Sequence, residues 1–205
     1  MPATHTGHGG SGSIPYQAGV TGVTGVNGNV ATSNPSTGRT REGLTALMRA
    51  ARDGNVEMVK QLADKEVGLR DNNGHTALMW AAYESHPECI SYLKKEIGIQ
   101  DNYGWTALMI AAYFGATECV ESLISEVGKQ STSPHVDLPA KVSASMLAAR
   151  CGRVQILQRL LPYEKGLQDA NGNMVSWYAE YGLNQCKGVA LRKPHMEVVA
   201  YASKL

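Results

Sequence analysis

The chain has 205 residues, of which 43% are hydrophobic and 18% charged, and its formal net charge is +1. That is enough chain for one or two domains with a buried core. Lys and Arg are scattered rather than massed, which argues against a nucleic-acid partner, and no apolar run is long enough to cross a bilayer.

Residues 1–39 read as a flexible tail. Gly, Thr, Ser and Asn dominate HTGHGGSGSIPYQAGVTGVTGVNGNVATSNPSTG, and so few large apolar groups cannot offset the entropy of ordering the backbone. Gly7, Gly9 and Gly12 fit a dinucleotide-binding spacing, but no strand precedes them and no helix follows. His5 and His8 lack the fixed geometry that a metal site needs. The opening MPATHTGHGG also lacks the basic head and apolar middle of a secretory signal, so a reducing, cytoplasmic location is expected.

From Gly43 the chain becomes repetitive. GLTALMRAA, GHTALMWAA and GWTALMIAA begin at Gly43, Gly74 and Gly104, 31 and 30 residues apart. KVSASMLAARCGRVQILQRLL is a weaker fourth copy with Ser143 in the Thr position, and DANGNMVSWYAEYG a fifth. Each unit holds two helical stretches. Thr76 suits an N-cap ahead of Ala77, Leu78, Ala81 and Ala82, and Pro87 suits the first turn of a second helix carrying Cys89, Ile90 and Leu93. Gly68, Gly98, Gly128 and Gly166 mark where those second helices end. About 30 residues cannot bury a core alone, so the units must stack.

The phrase G-x-T-A-L-M-x-A-A followed by G-x-x-E-x-V-x-x-L resembles the ankyrin repeat, in the short TALM-type form found in protist arrays. The resemblance implies an all-α helical solenoid of about five repeats, with units near 40–70, 71–100, 101–137, 138–168 and a degenerate cap at 169–205. Two positions depart from the family pattern. Ala46, Ala77 and Ala107 stand in the place of its proline, and Met48, Met79 and Met109 in the place of its histidine. Methionine is expected to substitute apolar packing for that histidine's polar contact. Unit three carries about seven extra residues, placed by this register between Gly128 and Leu138, and they are expected to protrude as a loop.

The resemblance also implies a binding surface made by the turns and the exposed side of the first helices. Carried onto this chain, the position before each cap is Leu44, His75, Trp105 and Val142. The position seven after the cap is Arg52, Tyr83, Tyr113, Arg150 and Tyr181. Position four, Arg49, Trp80, Ile110, Leu147 and Tyr178, is expected to be half-buried between units. Aromatic residues and arginine are enriched in interface hot spots. The expected partner-binding set is therefore Arg52, Trp80, Tyr83, Tyr103, Trp105, Tyr113, Phe114 and Arg150, while Trp177 is expected in the core.

Catalytic chemistry finds no site in the sequence. Cys89 and Cys119 share the slot thirteen after the cap with Met58 and Ile156, which marks it as apolar core. Cys151 and Cys186 have no C-x-x-C or H-x-x-C companion for zinc, and His86 sits at a joint between helices where a structural role is expected. No triad or phosphate loop emerges. The reading is a monomeric, non-enzymatic scaffold for a protein partner, without cofactor, metal, nucleic acid or membrane. The alternative is a targeting or regulatory subunit that positions an enzyme. Ser203, Lys204 and Leu205 match the peroxisomal S-K-L tripeptide, which makes peroxisomes the alternative location.

Overall fold

The structure is a computed structural model that describes residues 38–186 and 189–203. The expected tail up to residue 37 and the tripeptide residues Lys204 and Leu205 lie outside the described residues. Among the described residues ten α-helices run in pairs: α1 (Ala46–Arg52) with α2 (Val56–Glu66), α3 (Ala77–Tyr83) with α4 (Pro87–Ile90), α5 (Ala107–Phe114) with α6 (Thr117–Leu123), α7 (Ala144–Arg150) with α8 (Val154–Glu164), and α9 (Val175–Gln185) with α10 (Val189–Ala202). The first helices α1, α3, α5, α7 and α9 pack side by side in one layer, and each lies against the second helix of its own unit. There is no strand among the described residues.

Local chemistry explains where the helices start. Thr45 and Thr106 take extended backbone and accept the N–H of Met48 and Met109 with their hydroxyls, both at 3.3 Å. Thr76 has the same backbone without the side-chain bond. The Met48 sulfur also accepts the Thr45 N–H at 3.4 Å. Met48 therefore retains one weak polar contact alongside its burial, whereas Met79 and Met109 are buried as the apolar role expected of them requires. In units two and three the second helix is short, and a turn of 3-10 helix at Lys94–Glu96 or Ile124–Glu126 completes it.

The core is built from the paired alanines and their neighbours. Ala81, Ala82, Ala111, Ala112, Ala148 and Ala149 are fully buried where first helices meet, and Leu47, Leu78, Leu108, Ile90, Leu93 and Leu123 fill the space behind them. Cys89, Cys119 and Ile156 are fully buried in the slot thirteen after the cap. Met58 occupies that slot in the first unit and is 39% exposed, because no described unit precedes it. His86 is structural as expected, since its ring packs over Gly54 too closely to leave room for a Cβ there.

Three periodic hydrogen-bond systems join the units. In the first, Glu96 Oε1 accepts the Gly68 N–H of the preceding unit at 2.8 Å, while Oε2 accepts the Leu78 N–H at the head of α3 at 2.7 Å. Glu126 does the same for Gly98 and Leu108, and Glu164 for Gly128 and Ser145. Burial raises the pKa of Glu96 and Glu126 even though these bonds pull the other way. In the second, a ladder of long side chains reaches forward, with Arg39 donating to the Arg70 carbonyl, Arg70 to Gln100, Gln100 to Gln130 and Gln130 to Gln168. In the third, the turns stack by backbone, Asn72 N–H to Glu42 O, Asn102 to Asn73, Thr132 to Tyr103 and Ala170 to Ala140.

These contacts also fix the register of unit four. Asp71, Asp101 and Asp169 each hold their turn by accepting two later backbone N–H groups with Oδ1. In unit four Ser131 takes over this role, since its hydroxyl accepts the Val142 N–H at 3.0 Å and its own N–H donates to the Val142 carbonyl. The extra residues therefore lie inside the turn, between Ser131 and Val142, rather than ahead of that turn. A boundary at 137/138 would cut through the turn that opens unit four. Lys141 donates its N–H to Ser131 O just as Gly104 donates to Asp101 O, and it carries a φ of +63° where Gly104 has +82°.

The fifth unit presents different chemistry on its outer side. Ser176 and Glu180 are exposed at positions where earlier units bury Leu47 and Ala51. A further unit stacked there would have to desolvate the Glu180 carboxylate, which costs several kcal/mol unless the charge is paired. Trp177, expected in the core, is 41% exposed at the position of buried Met48, because no described unit covers it.

Candidate functional site

The first helices and turns of units two and three, with the insertion that follows them, gather Trp80, Tyr83, Tyr103, Trp105, Tyr113 and Phe114 with two histidines into one continuous run. The rings of His75 and Trp80 lie edge-on at 5.7 Å, Trp80 and Tyr83 at 5.7 Å, and Tyr83 and Phe114 at 4.5 Å. Phe114 meets Tyr113 at 5.1 Å, and Tyr113 meets Trp105 at 5.6 Å. The insertion closes the run: His135 lies 6.3 Å from Trp105 and 3.9 Å from Tyr103. Edge-on packing is the favoured geometry of aromatic pairs, so each ring is held by its neighbours.

Six of the eight expected residues, Trp80, Tyr83, Tyr103, Trp105, Tyr113 and Phe114, belong to this run. Trp105 is a correction to the expectation. It is 2% exposed, beneath Tyr113 and the insertion, so it supports the surface without lining it. The other turn positions, Leu44, His75 and Val142, are buried too. The residue there points inward while the preceding Asp or Ser, or Thr40 in unit one, takes its N–H. At position four, Arg49 and Trp80 are half-buried as expected, but Ile110, Leu147 and Tyr178 are fully buried.

Arg150 is tied to the far end of the face. Its Nη2 donates to Asp137 Oδ2 of the insertion at 2.5 Å, its guanidinium lies 5.0 Å over the Tyr181 ring, and Tyr181 stacks on Trp177 at 5.0 Å. Burial alone would raise the Asp137 pKa, but the Arg150 guanidinium outweighs it and keeps the carboxyl ionised below its ordinary range. Burial pushes Tyr113 up to about 12, so its phenol stays neutral. Arg52 stands apart from the run, with Nε on Asp53 at 3.1 Å.

Beneath the aromatic run lies a polar support that the sequence reading missed. His75 Nδ1 lies 3.1 Å from Asp71 Oδ2 and its Nε2 3.6 Å from Asp101 Oδ2, so one imidazole links two units. Trp80 Nε1 donates to the same Asp71 oxygen at 3.3 Å. Burial alone would raise the Asp71 pKa; the hydrogen bonds from His75 and Asn73 outweigh it and hold it low. Asp101 goes the other way, pushed up by burial. The repeating Asp three residues before Gly was the visible signal, but the partners it finds are spatial.

Two groupings resemble catalytic parts, and neither is assembled as such. His75 has a carboxylate facing each ring nitrogen and is buried beside Trp80. Cys186, read from the sequence as lacking a companion, has His195 Nδ1 3.2 Å from its sulfur, while His195 Nε2 sits 3.1 Å from the Arg150 carbonyl. Burial raises the Cys186 pKa, which favours the thiol over the nucleophilic thiolate. Among the described residues no three His, Cys, Asp or Glu side chains are grouped to hold a metal, and no helix is long and apolar enough to cross a membrane.

Comparison with known proteins agrees with this architecture. The family model described as ankyrin repeats (3 copies) matches residues 25–101, 47–135 and 93–171. The search of curated proteins found no match. The matched segments together span well over half of the 205 residues, and the chain belongs to the ankyrin repeat family.

Proposed function

We propose that this chain is a non-enzymatic scaffold that binds a protein partner along the concave face formed by its first helices and turns. Ankyrin repeats are generally protein–protein interaction modules, and the family is typically non-enzymatic. The observation that carries the reading is the run of rings from Trp80 through Tyr83 and Phe114 to Tyr113, joined to Tyr103 through Trp105 and His135, which links units two and three with the insertion. Rings already fixed by their neighbours lose little conformational freedom when a partner covers them, so more of the contact energy reaches the affinity. Arg150 and Tyr181 extend the surface toward unit five, while Arg52 holds the equivalent position in unit one, apart from the run. The scaffold acts as a monomer in the cytoplasm and needs no cofactor.

A pull-down tests this with the wild-type chain and a Tyr83→Ala/Tyr113→Ala variant, after circular dichroism shows equal helicity. Both residues are only half-buried, so the variant keeps its core. Loss of a captured protein from the variant is the expected result. Equal capture by both chains overturns the reading. The alternative role, positioning an enzyme in peroxisomes through Ser203, Lys204 and Leu205, predicts that deleting the tripeptide changes where the chain is found in cells.

A further inference from the structure

The units differ at two places where neighbouring turns meet. The residue that holds each turn is Asp71, Asp101 and Asp169 in units two, three and five, but Thr40 and Ser131 in units one and four. The residue just before each first helix's cap is Leu44, His75, Trp105, Val142 and Asn173 in chain order. Among the described units, only unit two has an Asp both in its own turn and in the next, and only unit two sets a histidine between them. In unit five the same place holds Asn173, which donates Nδ2 to Asp169 Oδ2 at 3.0 Å and has no titrating proton.

The geometry of His75 shows where its hydrogens lie. Asp71 Oδ2 lies 3.1 Å from His75 Nδ1 and accepts the Trp80 indole N–H at 3.3 Å, while Oδ1 accepts two backbone N–H groups. Burial alone would raise the Asp71 pKa, but these bonds, led by His75, outweigh it and keep the carboxylate ionised. Nδ1 therefore carries a hydrogen. In a neutral ring Nε2 would then turn a lone pair toward Asp101 Oδ2, 3.6 Å away, with both groups buried. Two acceptors facing each other away from water are unfavourable, and a proton between them removes the conflict. The Tyr103 and Trp105 N–H groups occupy Asp101 Oδ1 and leave Oδ2 to face the ring. Burial pushes Asp101 toward holding a proton.

We infer that His75, Asp71 and Asp101 form a shared-proton site that locks the turns of units two and three together and sets Trp80 in the aromatic run. The proton between Nε2 and Oδ2 belongs to the site and not to either residue. Its release to solvent takes the site from one net negative charge to two and leaves the imidazole facing an ionised Asp101. The ring then turns away, and Trp80, edge-on to it at 5.7 Å and bonded to the same Asp71 oxygen, moves with it. The units stay stacked, because Arg70 bridges the same turns from the Gly74 carbonyl to the Gln100 carbonyl in either state. His135 of the insertion also acts on Asp101. The consequence for a partner rests on the concave-face reading; the proton site does not.

The test is NMR of the full chain without a partner, following the His75 ring nitrogens, the Asp101 carboxyl carbon and the Trp80 indole N–H from about pH 5 to about pH 9. At about pH 7 the wild type is expected to hold a hydrogen on Nδ1 and a second proton on Nε2 or the Asp101 carboxyl, and the Trp80 resonance to shift as that second proton leaves at higher pH. H75N gives unit two the donor that Asn173 supplies in unit five, and loses the Trp80 titration. D101N still accepts the Tyr103 and Trp105 N–H groups, and its His75 releases the second proton at lower pH than in wild type. H135Q keeps the Trp80 titration. An Nε2 lone pair beside an ionised Asp101 at about pH 7 overturns the inference, as does a proton retained unchanged to about pH 9. A Trp80 resonance that ignores the titration of the site, titrates unchanged in D101N or stops titrating in H135Q overturns it too. None of these readings depends on the pull-down, so either proposal can fail without the other.

Discussion

Glu126 accepts the Gly98 N–H across a repeat boundary at 2.7 Å and at the same time holds the Leu108 N–H at the head of its own unit's first helix, also at 2.7 Å. The carboxylate replaces two backbone partners that a helix end and a helix start would otherwise lack. It is buried, and so is the Leu108 N–H, which water cannot reach in its place.

Glu126→Ala therefore strands the buried Leu108 N–H and the half-buried Gly98 N–H, and should lower stability by about 2–4 kcal/mol. Glu121→Ala, on the exposed side of α6, should change it by less than about 0.5 kcal/mol. Urea unfolding followed by circular dichroism checks both. A Glu126→Ala chain as stable as Glu121→Ala would remove the carboxylate from its role as a joint.

The same burial gives this joint a pH dependence. The folded pKa of Glu96 and Glu126 lies above the ordinary 4.5, with burial as the largest cause. The folded state then holds these protons more firmly than the unfolded chain does. Their contribution is fully present below pH 4.5 and is lost as pH rises through the folded value. Glu126→Gln cannot titrate, so the stability gap between wild type and Glu126→Gln should differ between about pH 4.5 and about pH 7, in the direction that favours wild type at the lower value. Asp71 and Asp169 have the opposite sign: burial is outweighed by their hydrogen bonds, chiefly from His75 and Tyr178, and their pKa lies below 3.8. Their stabilisation is present above pH 3.8 and disappears as pH falls through the folded values. Asp71→Asn should therefore lose less stability than wild type as the pH drops through that range. Identical unfolding curves against pH for all three chains would contradict the assignment.

Two turns offer a matched pair of backbone tests. Lys141 occupies, at φ +63°, the place that Gly104 fills in the preceding unit. Lys141→Gly should raise stability by about 0.5–1 kcal/mol through relief of the left-handed strain. Gly104→Ala should lower it by about 2 kcal/mol or more, because φ is +82° and a Cβ would collide with the Thr132 backbone N. Thermal melts of the two variants should move in opposite directions. Shifts of the same sign would refute the equivalence of the two turns.

Cys89 and Cys119 are free, fully buried, and pushed by burial to about 11 and about 12. Neither offers a thiolate at neutral pH. Ellman's reagent at mildly alkaline pH should therefore react with at most two of the four cysteines in the folded chain and with all four in urea. Rapid modification of Cys89 or Cys119 before unfolding would place them outside the core.

Much of the fold was legible because each unit repeats its own local chemistry. The Thr or Ser before α1, α3, α5 and α7 starts a helix of its own unit, and the paired alanines and terminal glycines recur with the same period, which exposes all of them in the sequence. The Glu in E-x-G, at Glu66, Glu96, Glu126 and Glu164, repeats as regularly. Its meaning stayed hidden because the bond to Gly68, Gly98 or Gly128 belongs to the neighbouring unit.

The number of units, the pairing of helices and the residues that meet across them follow from periodic apolar and small side chains, and for these the primary structure is sufficient. Three features needed the folded chain. Ser131 can hold a turn as Asp does, because its hydroxyl reaches the same N–H; this moves the insertion into the turn and above Trp105. Trp105 is buried because His135 and Tyr113 cover it, and Trp177 is exposed because no described unit packs beyond it, although both are tryptophans near the start of a first helix. Burial depends on which neighbour is present, and in a stacked array that neighbour lies a full repeat away.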